Sequence, residues 1–262
     1  MDDFPRFIGM VHLPPLPGAP RSRLSIDACE QHALTDARSL AEGGADALII
    51  ENFGDAPFRP GAVDAHTVAA MTRIAATIRR AIDIPIGINV LRNDAAAALG
   101  IAVAVGAQFI RVNIHTGVMA TDQGLIAGRA DETLRLRRAL DADSIRIFAD
   151  VLVKHATPLG SPAMTDAVED AIQRGLADAI IVSGTATGKA TDPADLAAAV
   201  EAAGDVPVYI GSGATLETLP ALIPPAHGAI IGTGLKENGN VHAPVDPARV
   251  RAFADRFAAT SA

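Results

Sequence analysis

Short runs of β-branched and other apolar residues alternate with longer, Ala-rich runs of helical period along the whole chain. The short runs predict strands at 7–11, 47–50, 86–90, 109–112, 145–150, 179–182, 208–210 and 228–231. The longer runs predict helices at 26–43, 64–82, 94–105, 131–140, 162–174, 193–203, 215–222 and 247–258. Strand–helix alternation of this kind is the signature of a parallel α/β protein. An open doubly wound sheet uses similar units, but no GxGxxG follows the first strand. Eight strands in 262 residues favour one closed (β/α)8 TIM barrel, whose usual length is roughly 250 residues. No linker, charge block or shift in composition marks a boundary, so residues 1–262 are expected to form one domain.

Local chemistry supports the element ends. Asp192-Pro193 and Asp246-Pro247 read as an N-cap followed by proline at the first helical position, where its missing N–H costs nothing. Gly43-Gly44-Ala45-Asp46, Gly106-Ala107-Gln108 and Gly175-Leu176-Ala177-Asp178 repeat one helix-to-strand turn, with glycine expected as the left-handed cap.

Composition narrows the class. Hydrophobic residues make up 49% of the chain and aromatics 3%, which predicts a core of Ala, Val, Ile and Leu. A formal charge of −8 argues against broad nucleic-acid binding while allowing a local anion site. The start lacks the basic and apolar regions of a signal peptide. The apolar stretch 95–107 is too short for a membrane span of about 20 residues. Cys29 stands alone, in a helical stretch that suits packing. These features lead us to expect a cytoplasmic protein, and the Ala-rich outer helices suit a homo-oligomer.

Active sites of such barrels lie in the loops after the strands, and here those loops are polar. Strand one runs into His12 and the proline-rich stretch 13–18, strand two into Glu51. Strand three contributes Asn89 and strand four Arg111, Asn113 and His115. Strand five contributes Asp150, Lys154 and His155, and strand six Ser183, Gly184 and Thr185. Strand seven is followed by Gly211-Ser212-Gly213, and strand eight by Gly232-Thr233-Gly234-Leu235-Lys236. Glycines there either make tight turns or let backbone N–H groups approach an anion, assisted by a following helix N-terminus. Barrel phosphate sites frequently use these two loops. The pair therefore predicts phosphate binding by Gly211, Ser212, Gly213, Gly232, Thr233 and Lys236. The stretch 184–190 resembles a P-loop but is one residue short between its glycines, and Ala190 stands where the motif needs Ser or Thr.

Asp150 and Lys154 form a candidate acid–base pair, with Lys154 also able to form an imine. A structural ion pair at the barrel rim is the competing reading. Glu51 and His115 complete the catalytic candidates. His12, Asn89, Arg111, Asn113, His155, Ser183 and Gly184 are the substrate-binding candidates. No cofactor is expected, although His12, Glu51, His115 and Asp150 together could hold a divalent metal. His32 and His66 fall on helices where surface or packing roles suffice. The segment 117–130 is too long for an ordinary strand-to-helix turn and is read as a lid.

Several motifs together resemble the BtpA/SgcQ family across nearly the whole chain: residues 9–18, GMVHLPPLPG; 51–58, ENFGDAPF; 87–94, GINVLRND; 111–117, RVNIHTG; 150–156, DVLVKHA; and the two glycine loops. The resemblance implies a barrel like those that bind ribulose phosphates. It also implies two functional directions: some relatives are linked to photosystem I biogenesis, others to carbohydrate metabolism. The rim chemistry favours an enzyme of isomerase, epimerase or lyase type acting on a small phosphorylated sugar or ribosyl compound. The rival is a non-catalytic assembly factor for a membrane complex, with the loop 14–20 as its partner surface.

Overall fold

The computed structural model describes residues 4–153, 155–184, 191–223 and 225–260. Lys154, Thr185 and the P-loop-like stretch 185–190 lie outside the described residues. The strands are β1 (Phe7–His12), β2 (Ala47–Glu51), β3 (Ile86–Asn89), β4 (Phe109–Val112), β5 (Val118–Thr121), β6 (Gly124–Ala127), β7 (Arg146–Val151), β8 (Ala156–Pro158), β9 (Ala179–Val182), β10 (Val208–Ile210) and β11 (Gly228–Ile231). The helices are α1 (Ile26–Glu42), α2 (Ala65–Ala81), α3 (Ala95–Val105), α4 (Ala130–Ala139), α5 (Met164–Glu169), α6 (Pro193–Ala203), α7 (Leu219–Leu222) and α8 (Pro247–Ala259). Eight parallel strands close in the order β1-β11-β10-β9-β7-β4-β3-β2, so the chain folds as a (β/α)8 barrel. The eight predicted strands match these to within one residue at each end.

Period-two alternation divides each barrel strand between two cores. Leu48, Ile50, Ile88, Ile110 and Ile147 face the helices. Ile8, Met10, Ile49, Phe109, Phe148 and Tyr209 fill the barrel interior. Aliphatic residues make up most of the outer core, but the few aromatic rings gather in both layers: Phe7, Phe253 and Phe257 in the outer core and Phe109, Phe148 and Tyr209 in the interior. Ring centroids lie 4.6 Å apart for Phe109 and Phe148, and 5.1 Å apart for Phe148 and Tyr209. A Cβ on Gly87 would come within 2.3 Å of the Phe109 ring, so the missing side chain makes room for the ring. Phe4 packs 5.9 Å from Phe148, and the Tyr209 hydroxyl donates to the Pro5 carbonyl at 2.8 Å, closing the floor.

The repeated turn motif has one physical role in all three copies. Asp46, Gln108 and Asp178 each donate their backbone N–H to a carbonyl at the start of a neighbouring strand, the first residue of β1 and β3 (Phe7, Ile86) and the second of β7 (Ile147). Their side chains accept the N–H of the same residue, at 2.8 Å in each case. Each turn thus clamps the start of an adjacent strand at two points and fixes its register. Gly44 and Gly106 supply the left-handed residue with φ of 96° and 70°, as expected. The third turn differs: Gly175 is right-handed and Leu176 takes φ 49° instead. Gly175 is required for space, since a Cβ there would stand 2.6 Å from the Ala171 carbonyl oxygen.

Three other expectations change. The segment 117–130 folds into the β5–β6 hairpin, which pairs with β8 in the order β6-β5-β8. Met119 and Ile126 pack on Ile114 and Val153, so the segment read as a lid is a small sheet with its own core. The helix predicted over 162–174 is α5 followed by a π-helical turn, Asp170–Arg174. The helix predicted over 215–222 shortens to α7, because Thr215 and Thr218 exchange side-chain-to-backbone hydrogen bonds at 2.9 and 3.2 Å. The proline-started helices hold: Asp192 and Asp246 cap α6 and α8, accepting from Ala194 and Ala248 N–H at 2.8 Å. Among the described residues no helix is long and apolar enough to cross a membrane.

Two glycines give opposite expected outcomes in urea unfolding. Gly87→Ala overpacks the ring layer and destabilises by about 1–3 kcal/mol. Gly100→Ala, in α3 with nothing within 4 Å of the added Cβ, stabilises by about 0.5–1 kcal/mol.

Candidate active site

A cavity of about 700 Å³ opens at the C-terminal mouth of the barrel. The strands deliver His12, Glu51, Arg111 and Asn113 to it, and the loops after β10 and β11 deliver Gly211–Thr215 and Gly232–Gly234. The loops of the first four units are clipped to one another by short polar side chains. Asp55 accepts from Leu16 N–H at 2.8 Å, Asn52 from Leu91 N–H at 2.7 Å, and Asn93 from Ile114 N–H at 2.8 Å. A clipped rim holds the lining residues in place before any ligand arrives.

Arg111 is the electrostatic centre. Its Nε and Nη2 donate to the two Asp150 carboxylate oxygens at 2.8 and 2.9 Å, and Asn113 Nδ2 donates to Asp150 Oδ2 at 3.2 Å. Asn89 Nδ2 donates to Asn113 Oδ1 at 3.0 Å and to the Arg111 carbonyl at 3.1 Å. Burial works against the Arg111 charge, but the Asp150 carboxylate, with Glu51 further off, more than offsets it and holds the guanidinium above its usual pKa. Asp150 is fully enclosed in this pair and does not line the cavity. Asp150→Asn would therefore leave Arg111 buried without its counter-charge and is expected to destabilise the fold.

His12 Nε2 lies 3.7 Å from Glu51 Oε1, and the His12 ring stacks on Phe53 at 4.5 Å. Both His12 and Glu51 line the cavity, as does His155. His115 does not. It is buried beneath the rim with Nε2 2.8 Å from the Gly175 carbonyl, and burial pushes its pKa below the usual 6.5. Nor does Lys236 reach the cavity: its ammonium is buried 2.5 Å from Asp36 Oδ2 on α1, whose Oδ1 accepts Val245 N–H at 2.8 Å. Lys236 thus anchors the loop after β11 to the helical layer instead of contacting an anion.

These placements also separate the proposed metal set, because His115 points into the layer outside the barrel and Asp150 is engaged by Arg111. Among the described residues no three His, Cys, Asp or Glu side chains gather into a metal-binding group.

The two glycine loops meet at the cavity wall. A Cβ on Gly211 would stand 2.4 Å from Ser183 Oγ and 3.5 Å from Arg111 Nη2, and one on Gly232 would stand 2.9 Å from His12 Cε1. The Ser183 and Ser212 hydroxyl oxygens are buried with no hydrogen-bond partner among the described residues, an arrangement that costs free energy unless a ligand or water completes it. Between β11 and α8 the chain forms 3-10 turns at Thr233–Leu235 and Glu237–Gly239, and α7 is a single turn that starts only at Leu219. No helix N-terminus therefore directly follows either glycine loop among the described residues, leaving glycine backbone and serine hydroxyls as the donors.

The sequence reading missed Arg92, His32, His242, Phe53 and Phe58, all of which line the cavity. Arg92 is buried, which lowers its pKa. Its place in the loop after β3 was the available signal, but the run GINVLRND drew attention to its asparagines. His32 lies on α1 and the exposed His242 in an irregular loop, so neither has a pattern that places it at the mouth.

Fold and site together define a (β/α)8 barrel with a preformed cavity of mixed polar and apolar lining at the C-terminal mouth and glycine loops after its final two strands. A profile of the BtpA family matches residues 5–259, and the chain belongs to that family. The photosystem I biogenesis protein BtpA of Synechocystis sp. is 53% identical over 96% of this chain and 87% of its own. The putative sgc region protein SgcQ of Escherichia coli is 32% identical over 95% and 92%. Among solved structures, phosphoribosyl anthranilate isomerase from Thermococcus kodakaraensis shares the fold. Its TM-score is 0.56 at 15% identity, over 96% of this chain and 98% of that one.

Two outcomes follow for the buried polar groups. Lys236→Ala strands the Asp36 carboxylate and is expected to cost about 3–5 kcal/mol in urea unfolding; Asp36→Leu/Lys236→Met recovers part of the loss. At His115 the unfolded chain takes up a proton near pH 6.5 that the folded site resists, so stability is lost as pH falls below 6.5. In His115→Gln that loss is shallower by up to about 1.4 kcal/mol per pH unit.

Proposed function

We propose that the chain is an enzyme of isomerase, epimerase or lyase type acting on a small phosphorylated sugar or ribosyl compound. The supporting observation is the pair of buried hydroxyls, Ser183 and Ser212, without partners among the described residues and beside the glycine loops. In this reading the phosphate takes backbone N–H groups from Gly211, Ser212, Gly213, Gly232 and Thr233, with Ser183 and Gly184 adjoining. Arg111 and Asn113, fixed from behind by Asp150 and Asn89, bind a carbonyl or hydroxyl of the substrate. Glu51 exchanges a proton with the reacting carbon or oxygen, and His12, 3.7 Å from it, is its partner. Lys154 keeps a proton-carrying role on its place in the chain, four residues beyond Asp150. His155 completes the wall. Asp150 acts through Arg111 as a positioning residue, while Lys236 and His115 are structural.

A second reading, an assembly factor, is favoured by the 53% identity to a protein named for photosystem I biogenesis. Within the loop 14–20, Leu16 is buried and Pro14 and Pro15 line the cavity, which leaves Gly18 and Pro20 as its exposed residues and makes it a small partner surface. Partner capture by the whole protein, with no small-molecule ligand detectable, would favour this role.

A thermal-shift screen with phosphorylated metabolites, with and without divalent metal, tests the enzyme reading. A bound compound at a hundred times its Kd is expected to add about 2.7 kcal/mol of stability. Ser212→Ala should weaken that binding about tenfold or more. With a substrate in hand, Glu51→Gln should lower turnover by about 10²–10⁴-fold and leave Kd within a few-fold. No shift with any phosphorylated compound would sink the phosphate site, and undiminished turnover in Glu51→Gln would remove its role.

A further inference from the structure

The cavity lining has two chemically different parts. One comprises the glycine loops, Ser212 and Arg111, and the other Leu13, Pro14, Pro15, Phe53, Ala56 and Phe58. The side chains of the second part carry no polar atom and its prolines no N–H, so these side chains offer no hydrogen bond to the hydroxyls of a second sugar or a polyol chain. The cavity volume of about 700 Å³ lies within the range of roughly 300–1,000 Å³ typical of pockets that enclose drug-sized ligands.

The apolar wall is also built rather than incidental. Leu13 N–H donates to the Glu51 carbonyl at 2.8 Å and Gly54 N–H to the Leu13 carbonyl at 3.0 Å, which locks the first two loops together. A Cβ on Gly54 would stand 2.3 Å from Pro15 N, so the glycine permits this close approach. Phe53 is oriented by stacking on His12, with the centroids 4.5 Å apart and the planes inclined by 28°. The His242 ring lies 6.2 Å from Phe53, with its plane inclined by 49° and so not stacked on it. A half-buried phenyl ring oriented by one stacked imidazole and lining the cavity is a preorganised contact surface for a flat π-system.

We infer that the ligand carries a planar heteroaromatic ring in addition to its phosphate, and that the ring lies against Phe53 and the Pro14–Pro15 wall. This deepens the proposed function, on whose phosphate site it rests: it selects ribosyl phosphates bearing a base or similar ring over simple sugar phosphates. One molecule with an anionic end and a flat end then meets both the glycine loops and Phe53, which line the same cavity.

Calorimetric titration of the full chain tests it with purine, pyrimidine and pyridine ribonucleoside 5′-monophosphates, the parent nucleosides, ribose 5-phosphate and inorganic phosphate. At least one mononucleotide is expected to bind about tenfold or more tighter than ribose 5-phosphate, as one stacked ring supplies. Phe53→Ala should erase that advantage while changing ribose 5-phosphate affinity by less than about twofold. Phe53→Leu keeps apolar bulk without the ring and should behave likewise, which guards against a folding defect in the first variant. Equal affinity for ribose 5-phosphate and every mononucleotide, or an advantage that survives both variants, would overturn the inference. A parent nucleoside that binds in a Phe53-dependent way, with no effect of phosphate, would sink the phosphate site and leave the ring surface standing. No binding by any compound would overturn both.

Discussion

A bidentate ion pair buried at the top of the barrel, Arg111 with Asp150, sets the terms for everything around it. Two charges removed from water are tolerated only when geometry and further hydrogen bonds compensate. Asn113 supplies one such bond to the carboxylate, Asn89 holds Asn113, and the absence of a side chain at Gly211 leaves room beside the guanidinium. The strands therefore cannot slip by a residue without placing these groups in the apolar outer layer. The two-point clamps at Asp46, Gln108 and Asp178 hold the opposite end of the same strands. Chemistry at one end and register at the other depend on the same alternation.

That alternation is why so much of the fold was legible. Period-two runs and proline-started helices mark where elements begin, and inward-facing polar residues at strand ends mark the mouth. Placement of His12, Glu51, Arg111 and Asn113 on the cavity follows from that rule alone. It fails where a side chain has a choice of direction just past a strand. His115 and Lys236 both follow strands and carry the right chemistry, yet both turn outward to the helical layer, one to the Gly175 carbonyl and the other to Asp36. Nothing local distinguishes them from residues that turn inward. Phe53 and Arg92 show the converse, since their value depends on loops clipped together across units, a tertiary fact with no sequence period.

Membership of the BtpA family and a fold shared with phosphoribosyl anthranilate isomerase bear on different levels. Similarity at 15% identity speaks to the barrel alone. One relative is named for photosystem I biogenesis and the other only for its sgc region, so what the molecule does must be argued from its own cavity. There the orphaned serine hydroxyls and the proline–phenylalanine wall are the informative parts, because each has a cost or a shape that a ligand would resolve.

The plugged floor has a kinetic meaning. With Phe4, Phe148 and Tyr209 packed across the bottom, the cavity is closed at its floor, and among the described residues its occupants exchange at the barrel mouth. Whatever leaves must use the path by which its successor arrives. Residence time and turnover are then coupled by traffic as much as by affinity, and a slowly departing molecule excludes the next without changing the protein's shape.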